Sequence, residues 1–167
     1  SPDERAAMLA EIEATRAAGL AGVVIGASCP DGRLDMAVLE EQVAAAQGLD
    51  ITLHRAIDLT PDPVEAMRQV ASLGIGRVLS SGGARTASEG MARLQAMAAA
   101  APEIVVMPGA GISAANVDHF AGLGLREIHA SCSLPKSAPA LAQVADFGFQ
   151  PTGARATDAG LVRALRD

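Results

Sequence analysis

The stretch Arg77-Val78-Leu79-Ser80-Ser81-Gly82-Gly83, a helical run over Ala87–Ala100, and then Ile104-Val105-Val106-Met107-Pro108-Gly109-Ala110-Gly111-Ile112 read together as strand, crossover and strand. Each strand is a short β-branched run that passes at once into glycine and small polar residues, and the segment between is long enough only for a helix. Two successive strands joined through a helix are parallel, because a hairpin would need only a few residues between them. Continuous apolar strands of this kind belong to a sheet that helices cover.

Working outward, the same unit recurs. Val23-Val24-Ile25 and Ile51-Thr52-Leu53 precede the quoted stretch, and Glu127-Ile128-His129 follows it. Measured between Val23, Thr52, Val78, Val105 and Ile128, the steps are 29, 26, 27 and 23 residues, the length of a strand, a helix and two loops. The intervening segments predict helices over Leu34–Ala46 behind Asp35, Pro63–Leu73 behind Asp62, and Ala114–Leu123 behind Ser113, each near a side chain able to cap a first turn. Gly19, Gly48, Gly74 and Gly124 stand where each helix must stop before the next strand. A helix over Pro2–Ala18 opens the chain without a strand before it, and Asp158–Arg166 predicts a helix at the end.

The pattern gives one domain over residues 1–167, of the α/β class. A doubly wound open sheet and a (β/α)8 TIM-barrel type both satisfy it. No Gly-x-Gly-x-x-Gly follows the first strand, so the fingerprint of a dinucleotide fold is missing. The opening helix without its strand, with room for three further units in a typical barrel, favours a chain that covers βα units four to eight, the N-terminal units being absent. Such a piece would leave bare sheet edges.

Of 167 residues 50% are hydrophobic, 2% are aromatic, and the net charge is −6. The 13 basic residues form no run, so neither the electrostatic footprint of phosphate-backbone binding nor stacking platforms are provided, and nucleic acid is excluded as an expected partner. No uninterrupted apolar run approaches a membrane span. Cys29 and Cys132 are the two thiols, a usage that suits a reducing, cytoplasmic setting better than a disulfide framework.

In a barrel the residues just beyond the strands line one face, and that face carries the chemistry. Here those residues are the polar ones. His54, Arg55 and Asp58 follow the second run; Ser81, Gly82 and Gly83 the third; Gly109, Ala110 and Gly111 the fourth; and His129 and Ser131 the fifth. His54 shares a face with Thr52, and the expected roles are acid or base for His54, with Asp58 orienting it and Arg55 gripping an anion. An ion pair that merely fastens the loop is the alternative. Gly109-Ala110-Gly111, leading into a helix near Ser113, would offer amides to a small phosphorylated or carboxylated ligand, with the hydroxyls around Ser131 beside them. Thiolate donors favour Cu(I), which makes Cys29 and Cys132 the candidate metal ligands. Strands four and eight lie across a barrel from each other, so one chain is not expected to bring the two thiols to a shared ion.

His54-Arg55-Ala56-Ile57-Asp58, Arg77 to Gly83, Met107 to Ile112 and Glu127-Ile128-His129-Ala130-Ser131 together, in order and at matching spacing, resemble the CutC family. Ile57 stands where that family usually has Phe, and Ser80 where Thr is common. The resemblance implies a cytoplasmic (β/α)8 barrel, commonly a homo-oligomer, connected with copper homeostasis and sometimes with copper binding. The residues themselves equally suit a barrel enzyme or sensor for a small anionic metabolite.

Overall fold

The computed structural model describes residues 1–137, 139, 141–151 and 153–166. In chain order it runs α1 (Pro2–Ala17), β1 (Gly22–Ile25), α2 (Met36–Ala45), β2 (Asp50–Leu53), a 3-10 turn (Arg55–Leu59), α3 (Pro63–Ser72) and β3 (Arg77–Ser80). It continues through α4 (Met91–Ala100), β4 (Val105–Pro108), α5 (Val117–Gly122), β5 (Ser133–Pro135), α6 (Ala142–Asp146), β6 (Arg155–Thr157) and α7 (Ala159–Arg166).

The first three helices begin where side chains satisfy their orphan amides. Ser1 and Glu4 form a capping box on α1, Asp35 Oδ1 accepts from Val38 N at 3.2 Å, and Asp62 Oδ1 accepts from Val64 N and Glu65 N at 3.0 and 3.1 Å. Helices α1, α2, α3 and α5 end on Gly19, Gly48, Gly74 and Gly124, all at positive φ, the conformation that terminates a helix at no steric cost to glycine.

Strands β1 to β4 form a parallel sheet in sequential order. Its register aligns Ile25, Leu53, Val78 and Val106 in one row. That row faces the helices, against Leu39, Met67, Val70, Leu94 and Met97, which are fully buried; each such side chain stabilises the fold by roughly 1.5–3 kcal/mol on transfer from water. The next row, Val24, Thr52, Arg77 and Val105, points the other way. Val24 is 65% exposed there. One face of the sheet is therefore core, and the other is open at Val24 and Val105 on the outer strands while Thr52 between them is buried.

The expected fifth strand is reduced. Glu127-Ile128-His129 joins the sheet through one parallel bridge, Gly109 with His129, where His129 N donates to Pro108 O at 2.8 Å. What also holds this segment is an ion pair: Glu127 accepts from Arg77 Nε and, at 3.1 Å, from Arg77 Nη2. The antiparallel pair β5–β6 and the short α6 were not expected from the pattern. They fall after the last repeat, where no periodicity announces them.

Candidate functional site

Because β1 to β4 are parallel, their C-terminal residues lie at one end of the sheet, and the polar candidates gather there. His54 follows β2, Ser81 to Gly83 follow β3, and Gly109 to Gly111 follow β4, with His129 bridged to Gly109.

At the centre is the Asp58 carboxylate. Oδ1 accepts from Ser80 Oγ at 2.6 Å and Gly83 N at 2.9 Å; Oδ2 accepts from Ser81 N at 3.0 Å, Ser81 Oγ at 3.0 Å and Arg55 Nε at 2.7 Å. The Asp58 side chain is 7% exposed. Burial pushes its carboxyl up, but the donors of Ser80, Arg55, Gly83 and Ser81 outweigh that and hold it below the usual carboxylate range. Arg55 Nη2 also reaches Ser81 Oγ at 2.6 Å, and Gly82 N donates to Ser80 Oγ at 2.8 Å. The amides of Ser81, Gly82 and Gly83 thus converge on the protein's own carboxylate and serine. Arg93 Nη1, on α4, closes the loop by donating to Gly82 O at 3.1 Å; no motif in the sequence signalled that residue.

The expected pairing of His54 with Asp58 does not form. His54 Nδ1 instead accepts from Ala56 N at 3.1 Å, capping the 3-10 turn. Its ring lies against Gly26, where a Cβ would come 2.2 Å from His54 Cε1. Only a glycine leaves the ring room. With Nδ1 accepting, the ring proton sits on Nε2, which makes no hydrogen bond among the described residues; His54 lines a cavity beside β1.

The Gly109 to Gly111 loop differs from expectation in one respect. The helix opens at Val117, not near Ser113, because Asn116 draws the chain into a turn first: its Oδ1 accepts from Ser113 N at 2.9 Å and its Nδ2 donates to Gly111 O at 2.9 Å. Ala110 and Gly111 both have positive φ, 75° and 78°, so this turn bends sharply. Gly111 and Ser131 face a common cavity, while Ser131 Oγ lies 3.1 Å from Ser133 Oγ. His129 is exposed.

Cys29 and Cys132 are free and partly exposed. Cys29 follows β1 at one edge of the sheet, whereas Cys132 follows the segment bridged to β4 at the other, so β2 and β3 lie between them. Among the described residues, no three His, Cys, Asp or Glu side chains come close enough to hold a metal ion. No described helix is long and apolar enough to cross a membrane.

Residues 1–134 match the CutC family. A CutC family protein of Agrobacterium fabrum is 48% identical over 168 residues, with 98% of this chain and 66% of that protein covered. One of Sinorhizobium medicae is 44% identical over 161 residues, covering 95% and 65%. The crystal structure of a protein from Streptococcus agalactiae described under the name copper homeostasis protein CutC superposes with a TM-score of 0.73 at 24% identity, covering 77% of this chain and 64% of that one. This chain therefore spans about two thirds of the length of these relatives. Matched over most of its length and nearly half identical to a relative of that name, the chain belongs to the CutC family.

Proposed function

We propose that the protein acts in copper homeostasis in the cytoplasm, with Cu(I) as cargo held between thiolates of different subunits. The observation that carries this reading is the placement of Cys29 and Cys132 as free, partly exposed thiols at opposite edges of the sheet. Cu(I) favours soft thiolate donors, and two thiols that cannot meet within a chain can meet across a homo-oligomer. The name of the Streptococcus agalactiae relative points to the same process.

The architecture behind it is a (β/α)8 barrel of which this chain supplies units four to eight. Supporting this are the sequential parallel order, a helical layer on one face only, and the edge of β1, along which a cavity of about 350 Å³ opens. An added strand would cover that edge and the exposed Val24.

Titration with Cu(I) against a chromogenic chelator, followed by size-exclusion chromatography, tests the copper reading. Thiol-dependent uptake that shifts the protein to a larger species is expected. A Cys29→Ser/Cys132→Ser double variant that binds Cu(I) as tightly as the parent overturns it.

A second reading, an enzyme or sensor for a small anionic metabolite, is favoured by the shared cavity of Gly111 and Ser131 at the end of the sheet where barrels bind phosphate. His54, the acid or base expected for such a ligand, lines the separate cavity beside β1 and not this one.

A further inference from the structure

The cavity that joins Gly111 to Ser131 has a volume of about 280 Å³ and is lined also by Ser113, Ser133, Arg155 and Leu161. Its walls come from two parts of the chain. Gly111, Ser113, Ser131 and Ser133 belong to the stretch matched to the family, which ends at residue 134. Arg155 and Leu161 lie beyond it, on β6 and α7.

Arg155 is the only positive charge in the lining. Its Nε donates to Ser133 Oγ at 3.0 Å and its Nη2 donates to Ser133 O. These bonds seat the guanidinium on the wall and leave the Nη1 hydrogens, and one on Nη2, unused. No carboxylate lies within ion-pair distance of it among the described residues, although the chain carries a net charge of −6. A planar cation with spare donors beside the paired hydroxyls of Ser131 and Ser133 is complementary to an oxyanion.

The other wall is apolar. Leu161 and Leu165 lie four residues apart on α7, hence on one helical face, and both border the cavity. The start of the helix is tied to the opposite wall by Asp158, whose N donates to Cys132 O at 2.7 Å, while its Oδ1 caps the helix by accepting from Leu161 N at 2.9 Å. At about 280 Å³ the space is below the range of drug-sized pockets, so the occupant is small.

From these observations we infer that this cavity binds a small organic oxyanion, a phosphate or carboxylate on a short apolar body, with Arg155 gripping the anion and Leu161 and Leu165 packing the body. The inference rests on the second reading above and adds to it that residues outside the family-matched stretch select the ligand.

Isothermal titration of the purified full chain with inorganic phosphate, phenyl phosphate and benzoate tests it, each variant being checked for an unchanged thermal midpoint. Phenyl phosphate or benzoate is expected to bind more tightly than inorganic phosphate. Arg155→Gln is expected to weaken that binding by about tenfold or more, the loss of a charge-assisted hydrogen bond, and Leu161→Asn to abolish the preference for the apolar body over inorganic phosphate. Binding that Ser131→Ala weakens but Arg155→Gln leaves intact overturns this inference and spares the anion reading of the rim. Absence of binding by all three probes overturns both.

Discussion

Asp58 Oδ1 stands 2.6 Å from Ser80 Oγ, and that contact, made by residues from different βα units, joins the turn after β2 to the loop after β3. The carboxylate does inside the protein what a bound anion would do: it collects the amides and hydroxyls of the glycine-rich loop. Ser81, Gly82 and Gly83 are thereby held as part of the rim's framework.

Replacing this acceptor should be costly. Asp58→Asn keeps the shape but removes the charge and puts an amide donor where Ser81 and Gly83 already donate. A loss of about 2–3 kcal/mol follows from charge-assisted hydrogen bonds of this kind, read as a lower urea midpoint with unchanged slope. The pH dependence has a definite sign. The folded carboxyl lies below its ordinary value, so its contribution is complete above the unfolded value near ~3.9 and disappears as pH falls through the folded one. Parent and variant stabilities should converge in that acid window. A constant gap between them down to the lowest pH would contradict this account.

Gly90 is a second point of the same framework. A Cβ there would lie 1.8 Å from Ser81 O, a backbone atom that Asp58 and Arg55 hold in place through the rest of Ser81. Gly90 is the N-cap of α4, where alanine is already disfavoured against glycine, and Gly90→Ala should destabilise by about 3 kcal/mol, mostly through forced displacement of backbone. Thermal denaturation measures it, and a neutral or raised midpoint would show the loop to be yielding.

Gln42 sits on α2 at 1% exposure, with Oε1 lacking any hydrogen-bond partner and Nε2 reaching only Met8 Sδ at 3.8 Å. A buried acceptor left unsatisfied costs about 1–3 kcal/mol, and Met nearly conserves the volume. Gln42→Met is therefore expected to raise stability by roughly 1–2 kcal/mol in urea denaturation. A loss of stability would mean that Oε1 has a donor in solution.

The order of elements was readable along the chain because the signals for it are local. β-branched runs such as Val23-Val24-Ile25 and Arg77-Val78-Leu79, a capping Asp62 and a terminating Gly74 act within a few residues of themselves. The fifth run carried the same local signal, yet Glu127-Ile128-His129 makes only a single bridge to β4. Pairing needs a neighbour on both sides of a strand or a close fit on one, and composition does not report either. The CutC signatures were likewise present as residues in order, and the family match covers them.

Partnership was decided in three dimensions. His54 and Asp58 look like a pair when only spacing is known, but Ser80, Ser81 and Gly83 arrive from another unit with four donors for the carboxylate while Ala56 N takes the imidazole Nδ1. Arg155 stood outside every repeat, and only the return of β6 against Ser133 brings it to the Gly111 loop. A backbone period is fixed by bonds between near neighbours, so one dimension suffices to see it; which side chain satisfies which buried polar group depends on contacts between distant segments, and those exist only once the sheet has assembled.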